Sequence, residues 1–139
     1  MCGITSIIKF EDTITEFETI KNMTDSQRHR GPDDQGFACF NLEDERLYEN
    51  LEKSALGNIH GIIGFNRLSI QDISMQGHQP MVDTSKKVIL AFNGEIYNAD
   101  EYREELKKDF IFKSRTDTEV ILNLYLKYGF DETIKKLNG

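Results

Sequence analysis

The sequence predicts an α+β domain, because strand-like segments come first along the chain and helical segments dominate its last third. The chain has 139 residues, which is enough for one domain with a sizeable core. Hydrophobic residues make up 38% of it and charged residues 29%, the balance of a globular protein. The net charge of −7 argues against nucleic acid, and against a membrane surface, as the main partner.

The first two thirds of the chain carry apolar, β-branched segments that predict strands around one helix. We expect strands at 4–10, 36–41, 45–50, 57–66 and 88–92. A helix is predicted over 14–26, where Thr13 and Glu16 have the spacing of a capping box. Turn-forming residues predict loops over 28–36 and 71–85.

Helical spacing dominates after residue 98. Asn98 is expected to cap a helix whose third position is Glu101. A short strand is expected at 110–112, where three apolar residues follow one another.

A second capping box opens the next predicted helix. Thr116 and Glu119 have the required spacing, and an apolar stripe follows at Val120, Ile121, Leu124 and Tyr128. Gly129 is expected to end this helix, and residues 131–138 are expected to form a further short one.

Cys2 directly follows Met1, and a small second residue normally allows the cell to remove the methionine. The chain would then begin with a cysteine that carries both a thiol and a free α-amine. The reference pKa of an α-amine is about 7.7–8.0, so the amine can take the thiol proton while the thiolate attacks a carbonyl carbon. The alternative is that Cys2 is an ordinary small residue opening a strand. If Met1 stays, the Cys2 nitrogen is an amide and the base is missing.

Cysteine usage and hydropathy predict a reducing, cytoplasmic location. Cys2 and Cys39 do not make a disulfide framework, and Cys39 in its apolar segment has the pattern of a small buried residue. The first ten residues lack the pattern of a secretory signal. No apolar run approaches the ~20 residues that a membrane helix needs.

Asn93 and Gly94 follow the apolar segment 88–92 and allow two interpretations. An Asn-Gly pair in this position is typical of a tight turn. Alternatively, the Asn93 side-chain amide and the Gly94 backbone N–H form an oxyanion hole, because glycine lets a substrate oxygen approach the backbone closely.

Three charged residues could recognise a substrate that carries both charges. Arg67 could bind a carboxylate through its two-pronged guanidinium, or could lie over a sheet edge as a surface arginine. Asp117 could bind an ammonium group, or could complement the dipole of the helix that it opens. Glu95 could assist Asp117, or could be a solvated turn residue.

The remaining polar motifs do not indicate a function by themselves. Arg30-Gly31-Pro32-Asp33 alone predicts only a turn. The histidines have no metal-ligand spacing and are interpreted as structural or exposed: His29, His60 and His78. We therefore expect no metal site, and there is no glycine-rich phosphate loop.

Taken together, six motifs resemble, in order and approximate spacing, the glutaminase domain of glutamine-hydrolysing asparagine synthetases. The resemblance covers essentially the whole chain. The motifs are Cys2-Gly3-Ile4, Arg30-Gly31-Pro32-Asp33, Arg67-Leu68-Ser69-Ile70, Gln79-Pro80, Asn93-Gly94-Glu95-Ile96-Tyr97-Asn98 and Thr116-Asp117-Thr118-Glu119-Val120-Ile121-Leu122. The second and fifth motifs together favour this family over relatives that make aminosugars or phosphoribosylamine.

The resemblance implies an N-terminal-nucleophile hydrolase with a four-layer αββα sandwich. By this resemblance, Cys2 would attack the side-chain amide of glutamine, and Asn93 with Gly94 would stabilise the oxyanion. Ammonia would leave, and water would hydrolyse the thioester to give glutamate.

The resemblance also implies how the substrate and the ammonia are handled. Arg67 would hold the α-carboxylate of glutamine, while Glu95 and Asp117 would hold its α-ammonium. This domain would need no cofactor of its own. Ammonia would pass to a synthetase domain, to which ATP and Mg²⁺ would belong.

Relatives of this type normally continue beyond the point that corresponds to Gly139. We therefore expect residues 1–139 to be a glutamine amidotransferase type-2 domain that is truncated at its C-terminus, with an incomplete second sheet and no synthetase domain. Such a chain would be at most a glutaminase, and inactive if Met1 is retained. An exposed sheet edge would favour self-association.

Two other functions remain open at this point. The same chemistry could supply ammonia to another acceptor, as in amidotransferases of sugar or peptide biosynthesis. The chain could also be a catalytically silent fragment that serves assembly, which a retained Met1 would favour and the intact set of motif residues would disfavour.

Overall fold

The computed structural model describes residues 1–10, 17–42, 47–49, 59–83, 85 and 88–139. These residues form two compact units. The first comprises Met1–Leu68 and His78–Asn93, and the second comprises Ser69–Gly77 and Gly94–Gly139. The described strands and one α-helix lie in the first unit and three α-helices lie in the second, so the α+β class is confirmed.

A four-stranded antiparallel sheet forms the centre of the first unit. Its strands lie in the order β1-β4-β2-β3. Their bounds are Gly3–Ile8 for β1, Asp34–Phe40 for β2, Leu47–Glu49 for β3 and Gly61–Arg67 for β4. Each coincides with a strand predicted from the sequence, with ends that differ by a few residues; parts of the predicted strands 45–50 and 57–66 lie outside the described residues.

One helix, α1 (Phe17–Ser26), packs against this sheet and closes a small core. The strand register places Ile62 beside both Ile7 and Cys39, so these side chains share the face that meets Ile20 of the helix. Each fully buried isoleucine contributes about 1.5–3 kcal/mol. Burial also raises the pKa of the Cys39 thiol to about 12, which confirms Cys39 as a small, neutral core residue. The capping box predicted for this helix lies outside the described residues.

The helix approaches the sheet most closely at Gly64. The hydroxyls of Thr5 and Thr24 lie 2.6 Å apart over this glycine, and the Thr5 hydroxyl also donates to the Gly64 carbonyl at 3.3 Å. A Cβ at Gly64 would lie only 2.2 Å from the Thr24 hydroxyl oxygen. The sequence therefore needs glycine here to let the threonine pair join helix and sheet.

The first unit also contains a two-stranded antiparallel sheet of β5 (Met81–Asp83) and β6 (Val88–Leu90). The prediction of a loop over 71–85 was wrong at β5. The preceding proline and the polar end of this segment indicate a loop, but pairing with β6 makes it a strand. The predicted strand 88–92 is confirmed in its first three residues.

Three helices form the second unit: α2 (Ala99–Leu106), α3 (Asp117–Tyr128) and α4 (Phe130–Lys136). The predicted apolar stripe of α3 is buried at Val120, Ile121 and Leu124. The Thr116 hydroxyl accepts the Glu119 N–H at 3.4 Å, so this half of the predicted capping box is present. The other half is not, because the Glu119 carboxylate accepts the N–H groups of Lys113 and Ser114. Gly129 ends α3 with a φ of 77°, a conformation that favours glycine.

Two predictions in the second unit were wrong. Residues 110–112 form no strand, because the Phe110 N–H bonds to the Leu106 carbonyl and so belongs to the end of α2. Asn98 precedes α2 but makes no cap hydrogen bond. Its side chain instead donates to the Lys136 carbonyl at 2.8 Å and accepts the Asn138 N–H at 3.1 Å.

Replacing Gly64 with alanine is expected to lower the free energy of unfolding by about 1–3 kcal/mol, because the new methyl group collides with the threonine hydroxyls. Urea unfolding measures this loss. In a Thr24→Ala background the same substitution should cost less, since the nearest colliding atom is gone. An equal cost in both backgrounds would contradict this packing argument.

Candidate active site

Cys2 lies half-buried just before β1 and is held by three parts of the first unit. Its backbone N–H donates to Oδ1 of Asn93 at 3.1 Å. Its carbonyl accepts the Nε–H of Arg30 at 3.0 Å. Its sulfur receives the Leu68 N–H at 3.3 Å, directly after β4. The Cys2 thiol also lies 3.8 Å from the Leu68 carbonyl oxygen, to which it can donate. These contacts fix the position of the sulfur, as a nucleophile requires.

Arg30 is a site residue that sequence reasoning missed, because its motif alone predicted only a turn. The turn does exist, as a short 3₁₀ helix over Arg28–Arg30. Gly31 then packs directly on β4: a Cβ there would lie 2.3 Å from the Asn66 carbonyl oxygen. This close approach brings the Arg30 guanidinium to the Cys2 carbonyl. The sequence signal was Gly31, because a glycine lets the backbone approach a neighbouring strand closely.

Asn93 is exposed, and its hydrogen bond to Cys2 fixes how its amide is turned. A peptide N–H can only donate, so Oδ1 faces Cys2 and the Nδ2 group is left to donate elsewhere. The chain leading to Asn93 is also fixed, because the Phe92 N–H donates to Oε1 of buried Gln79 at 2.8 Å. This geometry is that of an amide donor held beside a cysteine.

Arg67 ends β4 and is only 5% exposed, so the interpretation of a surface arginine over a sheet edge was wrong. Its charge acts on Asp34, which pairs opposite it in β2. The pKa of Asp34 is lowered mainly by a hydrogen bond from His78 at 2.7 Å, with a smaller contribution from Arg67. The structural role expected of His78 is therefore its ion pair with Asp34.

In the second unit, Glu95 and Asp117 line one open pocket of about 400 Å³. Glu95 is exposed, whereas Asp117 is buried at the first position of α3. Oδ2 of Asp117 accepts the Ile96 N–H at 2.9 Å. Burial nevertheless raises the pKa of Asp117, and the nearby Glu95 charge raises it further. Because a favourable helix dipole would lower this pKa, the dipole does not dominate here.

Gln71 is a second polar residue that sequence reasoning missed. Its side chain contacts two of the acidic residues that line the pocket: Oε1 accepts the Asp117 N–H at 3.0 Å, and Nε2 donates to the Glu95 carboxylate. A polar residue in a segment predicted as loop offers no periodic signal, so nothing in the sequence alone singled it out. Gly94 lies in the same unit, directly before Glu95, and is exposed.

The structure thus brings the predicted site residues together in two groups. Cys2, Asn93 and Arg67 belong to the first unit, and Gly94, Glu95 and Asp117 belong to the second. The first group holds a thiol beside a side-chain amide that can donate to an oxygen anion, and the Glu95 and Asp117 carboxylates can attract a cation. Within the described ranges, no cluster of three His, Cys, Asp or Glu side chains could hold a metal. None of the helices formed by these residues is long and apolar enough to cross a membrane.

Comparisons with known proteins show the family of the chain. The model of the glutamine amidotransferase domain family matches residues 1–139. The chain is 38% identical to a candidate glutamine-hydrolysing asparagine synthetase of Methanocaldococcus jannaschii, over all of this chain and 26% of that protein. It is 36% and 33% identical to glutamine-hydrolysing asparagine synthetases 1 and 3 of Bacillus subtilis, over all of this chain and 20% of each.

The chain therefore spans about a quarter or less of the length of these curated relatives. The family model, by contrast, covers the chain from its first residue to its last. This chain belongs to the glutamine amidotransferase domain family.

Proposed function

We propose that this chain hydrolyses the side-chain amide of glutamine to glutamate and ammonia, as the ammonia-supplying part of a glutamine-hydrolysing asparagine synthetase. The observation that carries the proposal is the environment of Cys2, whose sulfur receives the Leu68 N–H while its nitrogen faces Asn93. Family membership supplies the substrate class, and the names of the relatives supply the pathway.

The reaction follows from these contacts. The Cys2 thiolate attacks the amide carbon, and the carbonyl π electrons move to oxygen. Nδ2 of Asn93 and the Gly94 N–H stabilise that oxyanion. The intermediate collapses, and the C–N bond breaks with its electron pair on nitrogen. The nitrogen takes up the proton that came from the thiol, so ammonia leaves and a thioester remains. Water then adds to the thioester carbon, and its proton passes through the Cys2 α-amine to sulfur as the C–S bond breaks, so glutamate is released and the thiol is restored.

Removal of Met1 is part of this proposal. In the structure Met1 precedes Cys2, so the Cys2 nitrogen is a peptide N–H and cannot take up a proton. Loss of Met1 would turn the same nitrogen into an amine next to the thiol. That amine is the base that carries the thiol proton to the leaving nitrogen.

We assign the substrate contacts as the resemblance implies them. Arg67 binds the α-carboxylate, and its burial supports this because a desolvated guanidinium binds an anion more strongly than an exposed one. Glu95 and Asp117 bind the α-ammonium. The raised pKa of Asp117 supports that role, because a carboxylate that repels its neighbour gains most from a bound cation.

The setting of the reaction is also a proposal. We also propose the four-layer αββα sandwich that the resemblance implies, and a helix packed on a four-stranded sheet and a second sheet support it. The acceptor half, with ATP and Mg²⁺, belongs to a synthetase domain as in the relatives' names. Two free cysteines support a reducing cytoplasm.

Self-association through a sheet edge is proposed on the position of β1. This strand lies at one end of the described four-stranded sheet, and its Ile4 and Ile8 are 39% and 57% exposed. Light scattering at increasing concentration should therefore show a rising average mass. A constant monomeric mass would contradict the edge pairing.

Replacing Asn93 with alanine is expected to lower kcat for glutamine about 10²–10³-fold with little change in KM, because an oxyanion donor acts mainly in the transition state. Steady-state release of ammonia measures this. Asn22→Ala, on the exposed face of α1, is the matched control and should change neither constant. A lowered affinity with an unchanged kcat would contradict the role of Asn93.

Replacing Asp117 with asparagine is expected to raise the free energy of unfolding near neutral pH while weakening glutamine binding. The pKa of Asp117 is raised in the folded chain, so its ionised form opposes folding. That penalty is complete above the folded pKa and disappears as the pH falls below the ordinary value of 3.8. The gain of the variant should therefore shrink on acidification, which thermal unfolding at several pH values measures.

Asp100→Asn is the control for the Asp117 variant, because Asp100 lines the same pocket with a fully exposed side chain. Its stability should stay close to that of the parent at each pH. A stability gain in Asp117→Asn that does not vary with pH would contradict the burial argument.

A further inference from the structure

We infer that Gln71 is a positioning residue, which holds the Glu95 and Asp117 carboxylates in the arrangement that receives the α-ammonium of glutamine. The inference rests on the proposed function. It assigns a role to a side chain that belongs to none of the catalytic or substrate-binding groups named above.

The contacts of Gln71 admit only one orientation of its amide. The Asp117 N–H can only donate, so it requires Oε1 of Gln71, which lies 3.0 Å away. An ionised carboxylate can only accept, so Glu95 requires the Nε2 group. One neutral side chain therefore satisfies both partners. Leucine would make neither bond, and glutamate would bring a third negative charge toward Glu95.

Glu95 needs to be held in place because its carboxylate and that of Asp117 repel each other. Glu95 raises the pKa of Asp117, which reports that repulsion. Asp117 is buried and bonded to Ile96, whereas Glu95 is exposed and would otherwise turn into solvent. Holding it in place before substrate arrives removes part of the ordering cost of binding.

The segment that carries Gln71 is itself fixed to the start of α3. Oδ2 of Asp72 accepts the Arg115 N–H at 2.8 Å, two residues before Asp117. Oδ1 of Asp72 accepts the Ser74 N–H at 2.8 Å and so shapes the following turn. Gln71 is exposed, but the segment that carries it is held against the start of α3.

The test measures binding in the full chain that carries Cys2→Ala, so that turnover does not interfere. Calorimetric titration compares L-glutamine with its analogue that lacks only the α-amino group, glutaramic acid. Gln71→Leu should weaken glutamine binding about tenfold, because one ordinary and one charge-assisted hydrogen bond are lost. The affinity for the analogue should stay unchanged. Gln76→Leu, an exposed glutamine of the same unit, is the control and should affect neither ligand.

A second variant separates positioning from general structure. In a Glu95→Gln background, Gln71→Leu should weaken glutamine binding less than in the parent, because the side chain acts through Glu95. Equal losses for both ligands, or an unchanged affinity for glutamine, would overturn the role of Gln71 and leave the proposed function standing. A parent that binds neither ligand would overturn the proposed function together with this inference.

Discussion

Three segments of the first unit converge on Cys2, and the local structure around them is built to keep this arrangement. The bond from Leu68 requires β4 to end beside the start of β1, which their antiparallel register provides. The bond from Arg30 requires the preceding turn to lie directly on β4, which Gly31 permits. A thiol of this kind reacts only when donors and base keep their geometry, so close packing against β4 is the constraint on which the chemistry depends.

In the second unit, the arrangement of the candidate site costs folding stability. A buried carboxylate with a raised pKa opposes folding when it is ionised, and Asp117 lies next to Glu95 all the same. Such unfavourable electrostatics are typical of sites that are complementary to a ligand and not to themselves. In the proposed function a bound ammonium would relieve the repulsion, and until then the neutral amide of Gln71 would hold Glu95 in place. In the proposed function, the ionised Asp117 therefore lowers the free energy of unfolding while it raises the affinity for glutamine.

Local patterns were enough to predict most of the described elements, but not β5 and not the contacts of the site. The buried face of α3 leaves a helical period in the sequence, and its cap leaves a fixed spacing. By contrast, Arg30 lies 28 residues from Cys2, and Gln71 lies 46 from Asp117. No period links such pairs, so only the whole fold reveals them. Cys2 and Asn93, bonded across 91 residues, were named together only through the family resemblance, and their roles stay predictions. Residues 110–112 were mispredicted because an apolar composition does not provide a strand partner.

The most direct test of the account is the intact mass of the purified chain before and after exposure to a glutamine-mimicking diazoketone. The account predicts a chain that lacks Met1 and gains one adduct, which peptide mapping places on Cys2. Cys39 is an internal control, because its buried thiol has a pKa of about 12 and should not react. A chain that retains Met1 and gains no adduct would contradict the account, and so would an adduct on Cys39 alone.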